Sequence, residues 1–136
     1  MISKQIALYL QSQSLGTVGT DIFYGYLPET PDTLTVVYDT GGDIPDARLG
    51  YDYPTIQIRT RAAVGATSIE DAYNRIAAVY NVLHGLHNIT LTDGTPLVDS
   101  LAVASAPFAI GKDDMGRAEF TQNYRLHIRN PTQHRE

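Results

Sequence analysis

The chain has 136 residues, 43% of them hydrophobic and 18% charged, with a formal net charge of −5 and no cysteine. That length supports one domain in which folding hides about 70% of the surface of the open chain, and the composition is that of a globular protein rather than a disordered one. The missing thiols exclude a disulfide scaffold, a cysteine-based zinc site and a thiol nucleophile.

The opening stretch MISKQIALYLQSQSL has one lysine and an apolar run cut short by Gln11 and Gln13. It is too short and too polar for a signal sequence or a membrane span, so a soluble, unexported chain is expected. Within it Ile2, Ile6, Tyr9 and Leu10 share one side of a helix over 3–15, with Ser3 as its cap and Gly16 as its stop. DIFYGYL then reads as a strand that the prolines of PETPD terminate. In TLTVVYDT, Leu34, Val36 and Tyr38 alternate with Thr33, Thr35 and Val37, and in PTIQIRTRA, Ile56 and Ile58 alternate with Gln57, Arg59 and Arg61. Both patterns predict strands with one face in the core.

A second helix is expected from Ser68 to Leu86. Thr67 and Glu70 form the sequence of a capping box, and Ile69, Ala72, Tyr73, Ile76, Tyr80 and Leu83 recur every three or four positions. Covering such a stripe takes a sheet of several strands. Asp93-Gly94 marks a hairpin turn, and EFTQNYRLHIRN closes the chain as a strand with Phe120, Gln122, Tyr124, Leu126 and Ile128 on one face and Thr121, Asn123, Arg125, His127 and Arg129 on the other. Residues 130–136 read as a frayed tail. The elements define a single-domain α+β (α/β) fold, a mostly antiparallel twisted sheet with two helices packed on it. Asp39–Tyr53 and Phe108–Glu119 are read as two long loops engaged with a partner.

Charge is unevenly placed. Residues 1–58 hold Lys4 and Arg48 against Asp21, Glu29, Asp32, Asp39, Asp43, Asp46 and Asp52, which accounts for the whole net charge, while residues 59–136 balance. The split permits neighbouring copies to complement one another, or else describes two solvated surfaces.

Several local motifs have competing readings. VVYDTGG at Val36–Gly42 is similar to the way retroviral-type aspartic proteases present a catalytic aspartate, here Asp39, with AIG at 109–111 in place of the downstream apolar run. Gly42 departs from that pattern, and a long helix has no home in that all-β barrel; a strand ending in a Gly-Gly turn, with Asp39 bonding its own backbone, fits better. His84 and His87 are spaced to share a metal on a continuous helix, but Gly85 falls between them and imidazoles at a helix C-terminus suffice as an account. Asp113-Asp114 reads as a solvated loop rather than an acid/base pair. Arg59, Arg61, Arg125 and Arg129 are candidates for nucleic-acid contact, against which the overall negative charge and the absence of a stacking motif both argue.

Taken in order, YLQSQSLG (Tyr9–Gly16), FYGYLPETP (Phe23–Pro31), VYDTGG (Val37–Gly42), YPTIQIRTRA (Tyr53–Ala62), NVLHGLHNITL (Asn81–Leu91) and IGKDDMGRAEFTQNYRLHIR (Ile110–Arg129) resemble the minor capsid or tail-terminator family of bacteriophages. The resemblance spans nearly the whole chain and rests on the order of the blocks. It implies a structural virion protein of a long-tailed phage, similar to the tail terminators of lambda-like phages. Such subunits form a hexameric ring on the tail tube, stop its growth and offer the head-tail connector a docking surface. The implied partners are further copies of the chain, the tail tube protein and the connector protein, with genome DNA passing through the ring without specific binding. No membrane, cofactor, metal or catalytic residue is implied, and the place is the virion's head-tail junction, assembled in the host cytoplasm. In such a ring Asp39, Asp43 and Asp46 of one copy would meet Arg59, Arg61, Arg125 and Arg129 of the next. The alternatives are a head-completion or connector adaptor and, in another class, a dimeric aspartic protease using Asp39.

Overall fold

The computed structural model describes all 136 residues, Met1–Glu136. In chain order the elements are α1 (Ile2–Ser12), β1 (Ile22–Tyr24), β2 (Leu34–Gly42), β3 (Tyr51–Asp52), β4 (Pro54–Arg61), α2 (Ser68–Leu83), β5 (His87–Thr90), β6 (Pro96–Ala102), β7 (Phe108–Lys112) and β8 (Ala118–Arg129). They form the expected α+β architecture, with a single eight-stranded sheet in which β1 and β2 run parallel and the other pairs antiparallel. Neither helix is long and apolar enough to cross a membrane.

The strand β8 organises the sheet. Along one edge it pairs with β4 from Arg61↔Glu119 to Thr55↔Arg125, and β3 carries that edge on to Tyr51↔Arg129. Along the other, β7 covers Lys112↔Ala118 to Phe108↔Thr121 and β6 covers Ala102↔Tyr124 to Leu97↔Ile128. Each flank is therefore one interrupted strand. β5 pairs β6 but not β7, whose outer edge is left without a strand partner.

The alternation expected in β8 is present, because Phe120, Gln122, Tyr124, Leu126 and Ile128 are all buried. On that face lie both helices: α1 packs on β1 and β2, and α2 on β4, β8 and β6. Their contributions to the main core include Ile6, Leu10, Ile76 and Leu83, each fully buried, worth roughly 1.5–3 kcal/mol apiece in removal of apolar surface from water. On α2 the buried stripe is Ala72, Ile76, Val79 and Leu83. The expected Ile69 and Tyr73 lie outside it and are more than two-fifths exposed.

The structure corrects several local expectations. α1 stops at Ser12, short of 15, because Ser14 already takes a left-handed conformation (φ 65°). Ser3 caps nothing; its amide and hydroxyl both donate to the Asp39 carboxylate, at 2.9 and 2.6 Å. No capping box forms at α2, since the Thr67 hydroxyl donates to Asp71 instead (2.9 Å), and the helix ends at Leu83 with His84 extended. β2 is buried on both faces over Leu34–Val37, and a second small cluster of Phe23, Leu34 and Val36 with Leu27 and Tyr38 lies on the face away from the helices. Nor does β2 end in a Gly-Gly turn. It bulges between Asp39 and Gly42 and continues to the pair Gly42↔Pro54, where Gly42 sits so close to Tyr53 and Pro54 that a Cβ would collide with their backbone.

Phe108–Glu119 is a β-hairpin rather than a loop, with its turn held by the Asp113 carboxylate, which accepts from the amides of Met115 and Arg117. The tail is tied down rather than frayed. Arg135 donates to the carbonyls of Asp46, Tyr51 and Asn130 and to the Asp52 carboxylate, and the Glu136 amide donates to Arg48.

Candidate functional site

The face of the sheet opposite the helices carries most of the residues singled out in the sequence. It has two halves. Over β1, β2 and the end of β4 the segment 25–33 folds across the sheet and closes the small second cluster. Over β3 and the C-terminal half of β8 the face is partly open.

Arginines fasten the covered half. Arg61 is only 2% exposed, and its guanidinium donates to the carbonyls of Asp32 (2.9 Å), Pro28 (3.0 Å), Glu29 (3.1 Å) and Pro31 (2.7 Å). Burial, and then the neighbouring Arg117, pulls its pKa below the ordinary arginine value. Arg117 is itself buried and reaches Asp113, Asp32 and Glu29. Although burial alone would raise it, Asp113 is held below the usual carboxylate range by the amide and guanidinium of Arg117 and by the Met115 amide. Arg59 makes a two-pronged pair with Glu119, both contacts 3.0 Å. These groups bond within their own subunit.

The open half carries a row of aromatic and cationic groups. Tyr51 and Tyr53 flank the His127 ring at centroid distances of 5.0 and 4.9 Å. Arg129 lies over Tyr51 (5.2 Å) and Arg125 over Tyr53 (5.3 Å). The sequence reading passed over Tyr51 and Tyr53, although their spacing of two in YDY places both rings on one face of an extended chain. Arg125 pairs with Asp43 at 3.0 Å, with both side chains more than half exposed. Asp46 accepts from the Tyr53 hydroxyl (3.1 Å).

Among the candidate interface residues, Asp39 thus binds Ser3, Asp43 binds Arg125, Asp46 binds Tyr53, Arg59 binds Glu119, and Arg61 lies inside the subunit. Arg129 stacks on Tyr51. The charge split of the sequence is largely answered inside one chain, since Asp21, Glu29, Asp32, Asp43 and Asp52 all pair with arginines of the second half. Asp39 faces the start of α1 and serves it as a cap from a neighbouring strand, which accounts for the protease-like motif without chemistry. The four arginines do not form one basic strip, because Arg61 is buried beneath the covering segment and Arg59 is paired with Glu119, while Arg125 lies at the other end of the β4–β8 pairing. His84 stacks on Tyr80 and accepts from the Ala102 amide, while His87 bonds the Gly85 carbonyl. The two imidazoles stand on different elements and share no continuous helix.

The molecule is thus a single sheet with two helices on one face and a buried polar network on the other. A family model described as bacteriophage tail terminator protein matches residues 9–130. The chain belongs to that family, which is one of structural virion proteins rather than a class of enzymes, and it is a structural tail protein of the virion. Its fold is similar to a chain of the virion of a native gene transfer agent particle, with a TM-score of 0.60 at 21% identity over 94% of this chain and 96% of that one. Comparison with curated protein sequences gives no match.

Proposed function

We propose that six copies of this subunit close into a ring on the end of the tail tube, stop its growth and present a surface to the head-tail connector. The family match over residues 9–130 carries this reading, and the similarity of the whole fold to a virion chain supports it. The partners are other copies of the chain, the tube protein and the connector protein, and the work is done by shape and contact.

Ring closure needs a heterologous contact whose rotation divides the circle. In the open half of the sheet, Asp43, Arg125 and Arg129 are the sequence-predicted residues available to such a contact, whereas Arg61 acts within the fold. The test is the mass of the native assembly on tails. Six copies per tail end is the expected result; two copies, or copies scattered along the tube, would refute it.

A further inference from the structure

Two segments beside the C-terminal end of β8 have no anchor in the core. The 43–50 loop between β2 and β3 gives no residue to either hydrophobic cluster, and its large apolar side chains, Ile44 and Leu49, are 89% and 52% exposed. Residues 130–136, NPTQHRE, include no large apolar side chain, and all of them except Arg135 are exposed. Segments with so few buried apolar contacts are where a fold opens first.

Each segment is bound to the other instead. The Arg135 side chain is only 11% exposed. Its Nη1 donates to the carbonyls of Asp46 and Tyr51, both at 3.2 Å, and to the Asp52 carboxylate at 2.7 Å, while Nη2 donates to the Asn130 carbonyl at 2.7 Å. Beside it the Asn130 amide donates to the Gly50 carbonyl (2.6 Å) and the Glu136 amide to the Arg48 carbonyl (2.9 Å). Within the loop the Asp46 amide donates to the Tyr51 carbonyl (3.2 Å), the same oxygen that Arg135 binds. Gly50 is buried where the two segments cross, and a Cβ there would collide with Pro131 and the Glu136 carbonyl.

We infer that residues 130–136 form a clasp on the 43–50 loop, closed by Arg135 and seated on Gly50, which opens as a unit without unfolding the sheet. One guanidinium binds carbonyls of both segments, so their order is mutual: once it leaves, neither has an apolar side chain in the core to hold it. Closed, the clasp fixes the loop that carries Asp43 and with it the Asp43–Arg125 pair on the open half of the sheet. Open, it frees 43–50 to take another shape. The family match ends at residue 130, so the clasp is built largely from residues beyond the matched stretch. The inference concerns the single subunit and stands apart from the ring reading.

Native-state hydrogen exchange of the full chain, read amide by amide by NMR, tests it. Arg135→Gln removes the charged donor from one segment, and Gly50→Ala drives the clasp off by collision from the other. Each substitution is expected to speed exchange at Asp46, Asn130 and Glu136 by roughly tenfold or more, the scale of one hydrogen bond to a charged group. Amides of the β4–β8 ladder are expected to keep their rates. Combining the two substitutions should add little, because either alone opens the clasp.

Exchange at Asp46 that neither substitution changes overturns the inference. So does loosening confined to 130–136, which would show a loop that stands alone. Rates that rise equally across β4 and β8 would make the effect global and overturn it too, and effects of the two substitutions that simply add would mean independent contacts in place of one clasp. A wild type whose Asp46 and Asn130 amides are already unprotected would have no closed clasp to open, which also overturns it.

Discussion

Replacing Arg61 with Met removes a buried cation whose donors hold together the 28–32 segment. The guanidinium is 2% exposed and lies within 3.1 Å of four carbonyls, one facing Nε and three facing Nη2. Nη2 has two hydrogens, so about three full hydrogen bonds are made in place of four. At roughly 1.5 kcal/mol for each bond to a charged group the loss is about 4.5 kcal/mol. Relief of the guanidinium's desolvation offsets part of it, leaving about 3 kcal/mol. Urea unfolding should show this as a lower midpoint with an unchanged slope, and thermal unfolding as a Tm lower by ~10 °C for a domain of this size. Arg125→Ala is the control, because its exposed pair with Asp43 is worth about 0–1 kcal/mol. A loss below about 1 kcal/mol at Arg61, or losses equal at the two positions, would refute the argument that the covered half of the sheet is fastened by this side chain.

Asp39→Ala removes the acceptor at the start of α1 and should cost about 1 kcal/mol, as other lost caps do, read by urea unfolding; a loss of several kcal/mol would mean that Asp39 does more than cap. Ile76→Ala, at a fully buried position, should cost about 2–5 kcal/mol, with a value near zero refuting the packing of α2 on the sheet. Asp52 is held below its ordinary range chiefly by the Arg135 hydrogen bond. Its contribution is therefore complete above the unfolded carboxylate value of about 4 and lost as pH falls through the lower folded value. Acid unfolding of Arg135→Gln should show that part of the pH dependence gone, and an unchanged acid profile would contradict the pairing.

The sequence made the chief elements legible where burial is one-sided. β8 alternates because helices cover one face and a more polar surface the other, and α2 shows a helical period because one stripe of it is buried. The readings failed where a second layer intervened. Leu34–Val37 is continuously buried because the irregular 25–33 segment covers the second face, and an irregular segment has no period to reveal it. For the same reason Arg59 and Arg61 look equivalent to Arg125 and Arg129 on paper, yet the first two are fastened within the fold and the last two stand on the open half. β7 escaped notice because five residues with a bulge at Ile110 leave too short an alternation, and its turn is as polar as a loop. Caps were misplaced because Ser3 and Thr67 found carboxylates, Asp39 and Asp71, that local sequence rules do not anticipate.

Termination of the tube is the central claim, and tail length tests it most directly. Tails assembled without this protein, measured by electron microscopy, should be irregular in length and fail to join heads, and adding the purified subunit should restore a uniform length with six copies at one end. Tails of normal length that join heads in its absence would contradict the account.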